Sequence, residues 1–254
     1  MLEFGHIPIV LMNPSAITNR TALITGASSG IGKATALAFA KAGINLALVG
    51  RSQDRLTHVA LAAEAAGVKA KTYVVDLAVL DRVSDQIATI AADWDNLDIL
   101  INNAGMGYTN SIEHTSLLDW QLVIDLNLTS VFQCVQGILP SMRHRKSGII
   151  INVASIAAKQ VFPNWGAYSV SKFGVMALTQ AIANEERVNG IRATAICPGS
   201  VNTPIWDTET VQADFDRSSM LTPEMVAEGI LYAVLAPPGA VVEELTIMPS
   251  GGAF

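Results

Sequence analysis

The stretch Thr21-Ala22-Leu23-Ile24-Thr25-Gly26-Ala27-Ser28-Ser29-Gly30-Ile31-Gly32 decides the fold. It opens as a short apolar run and closes on glycines spaced GxxxGxG, and Lys33 to Ala42 then continues with helix formers. Strand, glycine turn and helix in that order point backbone N–H groups and a helix N-terminus at one spot, which suits a pyrophosphate. Glycines are needed where a side chain would block the phosphates or the helix–strand packing. The spacing is a variant of the dinucleotide fingerprint. The rival reading is an ordinary Gly/Ser turn, against which the flanking strand and helix weigh.

Working outward, Asn45 to Val49 is a second buried run and ends in Gly50-Arg51-Ser52. Dinucleotide folds that prefer NAD usually carry a carboxylate at this point for the ribose 2′-hydroxyl. Here Arg51 and Ser52, with Lys33 or Arg55 nearby, would instead meet a 2′-phosphate, so NADP(H) is expected over NAD(H). Without the glycine turn upstream, Arg51 would read as a solvated loop cation.

Leu56 to Ala66 predicts a helix stopped by Gly67, and Lys71 to Val75 a strand ending at Asp76. Asp76 receives an adenine amino group or simply caps a turn. Asp81 to Trp94 has helical periodicity, and Asp98 to Ile101 is a fourth strand ending in Asn102-Asn103-Ala104-Gly105. Small and amide residues at such an edge let the chain pass close to a ligand. A long apolar helical pattern from Leu117 to Met142 is interrupted by Asn127, which needs partners in a bent backbone or an internal water.

Gly148 to Val153 is a fifth strand that delivers Ser155 to its C-terminal edge, and a helix then carries Tyr168-Ser169-Val170-Ser171-Lys172. Tyr168 and Lys172, four apart, share one helical face, so a phenol and an ammonium can serve one site. Ile191 to Cys197 is the sixth strand. A helix from Pro223 to about Leu235 precedes a last strand around Val241 to Ile247.

Between the sixth strand and the last helix lie Pro198-Gly199-Ser200-Val201-Asn202-Thr203 and the irregular segment 204–221, which contains Trp206 and Phe215 among Asp207, Glu209, Asp214 and Asp216. This segment reads as a flap over a pocket, because long loops inside compact domains are usually functional. Strands alternate with helices throughout and no linker or repeat divides them. The expected architecture is α/β: a single doubly wound parallel sheet over 19–254, preceded by an extension over 1–18.

Half of the 254 residues are apolar and 15% are charged, which suits a sheet covered on both faces. The net charge of −6 leaves no basic surface for nucleic acid beyond Arg143-His144-Arg145-Lys146, a run that solvates a helix end. Cys134 and Cys197 lack CxxC or His spacing and read as buried thiols, so no metal is expected. Ile7 to Met12 is too short for a membrane span and has no Lys or Arg before it, which predicts a cytoplasmic protein. The first eighteen residues match no core element: they form an arm, an extra strand, or the product of an upstream start, Met12 being able to initiate.

Taken together, Thr25-Gly-x-x-x-Gly-Ile-Gly32, Asn102-Asn-Ala-Gly105, Asn127, Ser155, Tyr168-x-x-x-Lys172 and Pro198-Gly199 resemble the short-chain dehydrogenase/reductase family in order and spacing over about 19–247. The resemblance implies a seven-stranded Rossmann-type sheet, a nicotinamide cofactor, and a homodimer or homotetramer built through the helices 117–142 and 165–187. It implies four catalytic residues. Tyr168 donates the proton, Ser155 steadies the substrate oxygen, Lys172 holds the ribose and lowers the Tyr168 pKa, and Asn127 holds a relay water. It further puts Gly26, Ser28, Ile31, Arg51, Ser52, Asp76, Asn103, Gly105 and Thr203 along the dinucleotide, with Pro198, Gly199 and Val201 near the nicotinamide. Asn102 instead ties strand ends together.

The leading functional expectation is an NADPH-dependent carbonyl reductase, or alcohol dehydrogenase in reverse. Phe162, Trp165, Trp206 and Phe215 suggest a hydrophobic or aromatic ketone or aldehyde, or else pack the core. A 3-oxoacyl-[acyl-carrier-protein] reductase is the nearest alternative. Asn184, where those reductases tend to have Arg, and the ending Val242 to Pro249 count against it, while Arg143 and Arg145 count for it. A non-catalytic NADP(H) sensor is the third reading, opposed by the intact catalytic four.

Overall fold

The computed structural model describes residues 19–213 and 216–252; the extension over 1–18 and the flap residues Asp214 and Phe215 lie outside the described residues. In chain order the elements are β1 (Thr21–Thr25), α1 (Gly30–Lys41), β2 (Asn45–Gly50), α2 (Gln53–Ala65), β3 (Ala70–Val74), α3 (Leu80–Ala92) and β4 (Ile99–Asn102). There follow α4 (Leu117–Ile124), α5 (Ser130–Arg145), β5 (Gly148–Val153), α6 (Gly166–Glu186), β6 (Ile191–Pro198), α7 (Pro223–Val234) and β7 (Glu244–Ile247). The strands form one seven-stranded sheet in the order β3-β2-β1-β4-β5-β6-β7. Every pairing is parallel.

Alternation along each strand divides the core into two layers. Ala22 and Ile24 of β1 face a cluster with Phe39 of α1, Leu56 of α2 and Ile230 of α7. Leu23 between them faces the opposite cluster, with Ile87 of α3, Ile138 of α5 and Ile182 of α6. This period of two, buried on both sides, is why the strands read as continuous apolar runs. Full burial of a side chain such as Phe39 or Leu23 stabilises the fold by about 1.5–3 kcal/mol.

The long pattern expected over 117–142 is two helices joined by a π-helical turn at Asp125–Thr129, and the second helix runs on to Arg145. Asn127 sits in that turn, fully buried. Its amide bonds a neighbouring loop, so the bend places a polar group where a regular helix would present an apolar one. The stretch 117–145 is long and apolar enough to cross a bilayer, yet Cys134, Val135, Ile138 and Met142 are buried in the sheet's core. The last strand begins at Glu244 rather than Val241, and its outer positions are exposed, as suits a sheet edge.

Candidate active site

The winding of the sheet reverses between β1 and β4, and this opens a crevice at their C-terminal ends. A cavity of about 510 Å³ occupies it. Of the residues singled out from sequence, all the candidate dinucleotide contacts, Ser155, Tyr168, Lys172, Phe162, Trp165 and Trp206 line this cavity. Asn127 stands behind the wall, and Phe215 lies outside the described residues.

At one end the turn after β1 forms a cradle. Gly26 has φ +64°, and a Cβ there would come within 2.9 Å of Asn103 Nδ2. A side chain on Gly32 would collide with the Gly26 carbonyl, so α1 lies directly against the turn. The N-cap Ser29 makes no side-chain cap bond and no acidic residue occupies the first turn of α1. Its leading N–H groups are therefore available to an anion at the positive end of the helix dipole. These features fit the pyrophosphate of a nicotinamide dinucleotide.

Thr25 fastens the cradle to β4: its Oγ1 accepts from Asn103 N and Ala104 N, both at 3.0 Å. The Asn103 amide turns back onto Thr25 O at 3.0 Å, so this residue lines the cavity while bracing the turn. Asn102 bonds Asn152 Oδ1 across β4 and β5 at 2.9 Å, the strand tie expected of it. Asp76 Oδ1 accepts from Ala78 N at 3.0 Å, a turn cap that also faces the cavity. Arg51, Ser52 and Arg55 line the far end, whereas Lys33 does not. Ser52 also caps α2 by accepting from Arg55 N.

At the other end β5 delivers Ser155 in an extended conformation, where its hydroxyl accepts from Ala157 N at 3.1 Å. On α6, Lys172 Nζ lies 5.7 Å from the Tyr168 ring centroid and donates to Val153 O at 3.0 Å. Burial raises the Tyr168 pKa, and a hydrogen bond with Ser155 pulls it down. Burial lowers Lys172 to about 8. The expectation that Lys172 depresses the Tyr168 pKa is thus corrected for the protein alone. The ammonium is held by a backbone carbonyl, and desolvation dominates both groups.

Asn127 Oδ1 accepts from Met106 N at 2.8 Å, and its Nδ2 donates to Met106 O at 2.9 Å and Ser171 Oγ at 3.1 Å. Ser171 Oγ donates in turn to Tyr168 O at 2.6 Å. A Cβ on Gly105 would begin 3.0 Å from Asn127 Oδ1 and 3.7 Å from Lys172 Nζ, so amide oxygen and ammonium border one space. Ser171, Ile156, Met106 and Ile205 were not singled out from sequence. Only proximity to Gly105, Ser155, Lys172 and Trp206 along the chain could have pointed to them.

The aromatic wall is continuous. Trp165 meets the Tyr168 ring edge-on at 5.2 Å and Trp206 at 5.8 Å, and Trp206 Nε1 donates to Val201 O at 2.8 Å. Both cysteines are buried and free; Cys197 Sγ lies 3.4 Å from Met176 Sδ, and burial pushes its thiol up to about 11.

A doubly wound parallel sheet with a glycine cradle and a Ser, Tyr and Lys at the strand ends has the layout of a Rossmann-type oxidoreductase. The short chain dehydrogenase family model matches residues 20–214. A 3-oxoacyl-[acyl-carrier-protein] reductase from Synechocystis is 36% identical over 245 residues, covering 94% of this chain and 98% of that protein. An alcohol dehydrogenase from Thermococcus sibiricus, solved with 5-hydroxy-NADP, superposes with a TM-score of 0.83 at 28% identity, covering 91% and 97% of the two chains. L-Sorbose reductase from Gluconobacter frateurii, solved with NADPH and L-sorbose, gives 0.83 at 30% identity, covering 93% and 97%. The chain belongs to the short-chain dehydrogenase family.

Proposed function

We propose that the protein is an NADPH-dependent carbonyl reductase, equally an alcohol dehydrogenase in reverse, acting on neutral hydrophobic or aromatic ketones and aldehydes. The observation that carries this reading is the convergence of Ser155, Tyr168 and Lys172 on one cavity with the glycine cradle. Bound NADPH supplies the hydride. Tyr168 gives its phenolic proton to the carbonyl oxygen, and a phenol kept neutral by burial is in the right state to do so. Ser155 hydrogen-bonds the same oxygen as negative charge develops on it. Lys172 binds the ribose hydroxyls beside Tyr168, and Asn127 holds a water toward Lys172 for proton return.

Arg51, Ser52 and Arg55 at the cradle's far end support NADPH over NADH, as do the NADP-type ligands of the two structural relatives. Phe162, Trp165, Ile205 and Trp206 make the substrate end apolar, which favours aryl groups over sugars. Exposed Leu117, Leu118, Phe132 and Phe173 on α4, α5 and α6 support a homodimer or homotetramer assembled through these helices.

The Synechocystis relative favours a second reading, reduction of 3-oxoacyl-[acyl-carrier-protein]. Arg143 is paired with Glu186, and Arg145 bonds Ser141 and the Leu97 carbonyl, so both cations offered to an acidic carrier already have partners. A panel of aryl ketones, aliphatic ketones and an acetoacetyl thioester, assayed with NADPH and NADH, tests the choice. Aryl ketones with NADPH should turn over fastest; preference for the thioester would install the second reading.

A further inference from the structure

The cavity wall from Thr203 to Gln212 is fastened at both ends. At its base Arg217 donates to Thr203 O at 2.8 Å, Asn202 Oδ1 at 3.0 Å and Asp207 Oδ1 at 2.6 Å. At its far end it meets the segment after β4. Thr210 Oγ1 donates to Gly107 O at 2.8 Å, Thr109 N to Thr210 O at 2.9 Å, and Gln212 N to Thr109 Oγ1 at 2.7 Å.

Between these bonds Gly107 is packed to contact. A Cβ there would lie 2.6 Å from Val211 Cγ2 and 3.4 Å from Ile205 Cγ1. Val211 is buried against this glycine, while Ile205 and the adjoining Trp206 line the cavity. The segment after β4 also holds the Trp165 side of the aromatic wall, because Asn110 N donates to Asn164 O at 2.8 Å beside Trp165.

We propose that Gly107 is a specificity-determining position: its missing side chain is the seat for Val211 that keeps Ile205 and Trp206 against the substrate. A methyl group at 107 overpacks the seat, and the cheapest relief is for the 205–211 segment to move away. Ser155 follows β5, Tyr168 and Lys172 stand on α6, and all three keep their places. Affinity for bulky carbonyls therefore falls while the chemistry on small ones persists. This kinetic consequence rests on the reductase reading; the seat itself does not.

The test compares wild type with Gly107→Ala, Gly107→Ala/Val211→Ala and Thr109→Val. Tryptic cleavage after Arg217 should be about fivefold faster in Gly107→Ala, because a displaced segment exposes it. KM for a bulky aryl ketone should rise about tenfold, with kcat/KM for acetone within about twofold of wild type. Removing the Val211 methyl groups in the double variant should restore both. Thr109→Val, which deletes the acceptor for Gln212 N without bulk, should also speed cleavage, and it carries the test if Gly107→Ala does not fold. Unchanged cleavage in Gly107→Ala or Thr109→Val, or a folded double variant without recovery, overturns the proposal. Should wild type reduce no carbonyl, the reductase reading fails while the cleavage comparison still decides the seat.

Discussion

Replacing Lys172 by Met should stabilise the protein without cofactor while abolishing turnover. Lys172 is only 6% exposed, and burial brings its pKa from the ordinary 10.5 down to about 8. At about 1.36 kcal/mol per pH unit, that difference makes the charged side chain a burden of about 3 kcal/mol at pH 7. Met fills similar space but leaves the Val153 carbonyl without its donor, which costs about 1–3 kcal/mol. The remaining gain, up to about 2 kcal/mol, should raise Tm by up to about 8 °C. The sign also appears in the pH dependence. Between about pH 8 and 10.5 the unfolded chain keeps a proton that the folded lysine has lost, so the Lys172 contribution to stability rises with pH there. The Met variant lacks that rise. Thermal unfolding followed by circular dichroism from about pH 7 to 9.5 is read as the difference between the two proteins, which cancels the opposing titrations of the buried Cys134, Cys197 and Tyr168 that both share. A Tm several degrees below wild type at pH 7, with the same pH slope, would refute the reasoning.

Arg51→Asp should move the kcat/KM ratio from NADPH toward NADH by about tenfold or more, since the change replaces attraction to a 2′-phosphate by repulsion; an unchanged ratio removes Arg51 from that role. Gly32→Ala should weaken NADPH binding measured by fluorescence titration by about tenfold or more, because the added methyl pushes α1 off the Gly26 carbonyl; wild-type affinity would contradict the cradle. Glu186, held below the usual carboxylate range first by its hydrogen bond with Arg143, stabilises the fold above the unfolded carboxyl pKa, and that contribution is lost as pH falls through the lower folded value. Glu186→Gln should therefore lower Tm at pH 7 and flatten its fall on acidification, which melting curves from about pH 7 to 3 will register.

Much of the fold was legible because parallel strands buried on both faces leave unbroken apolar runs, as at Ile149 to Ile151, and helices between them stop at glycine or proline signals. Boundaries slipped by a residue or more at Gln53 and Glu244, where capping and edge exposure rather than apolarity set the end. The site was legible where chemistry requires a residue type, as at Gly26, Tyr168 and Lys172. It was not where a role depends on contact: Asn103 bracing Thr25, Ser171 joining Asn127 to Tyr168, and Gly107 under Val211 follow only from three-dimensional packing. The Tyr168 pKa shows the same limit, because spacing along α6 does not reveal that burial outweighs the hydrogen bond with Ser155.

Tyr168→Phe tests the central claim most directly. The substitution removes the hydroxyl proposed to protonate the substrate and leaves Ser155, Lys172 and the glycine cradle in position. NADPH affinity should remain within about twofold of wild type, while reduction of an aryl ketone falls by about a thousandfold or more. Retained turnover with intact NADPH binding would contradict the assignment of Tyr168 as the acid, and with it the mechanism built on this site.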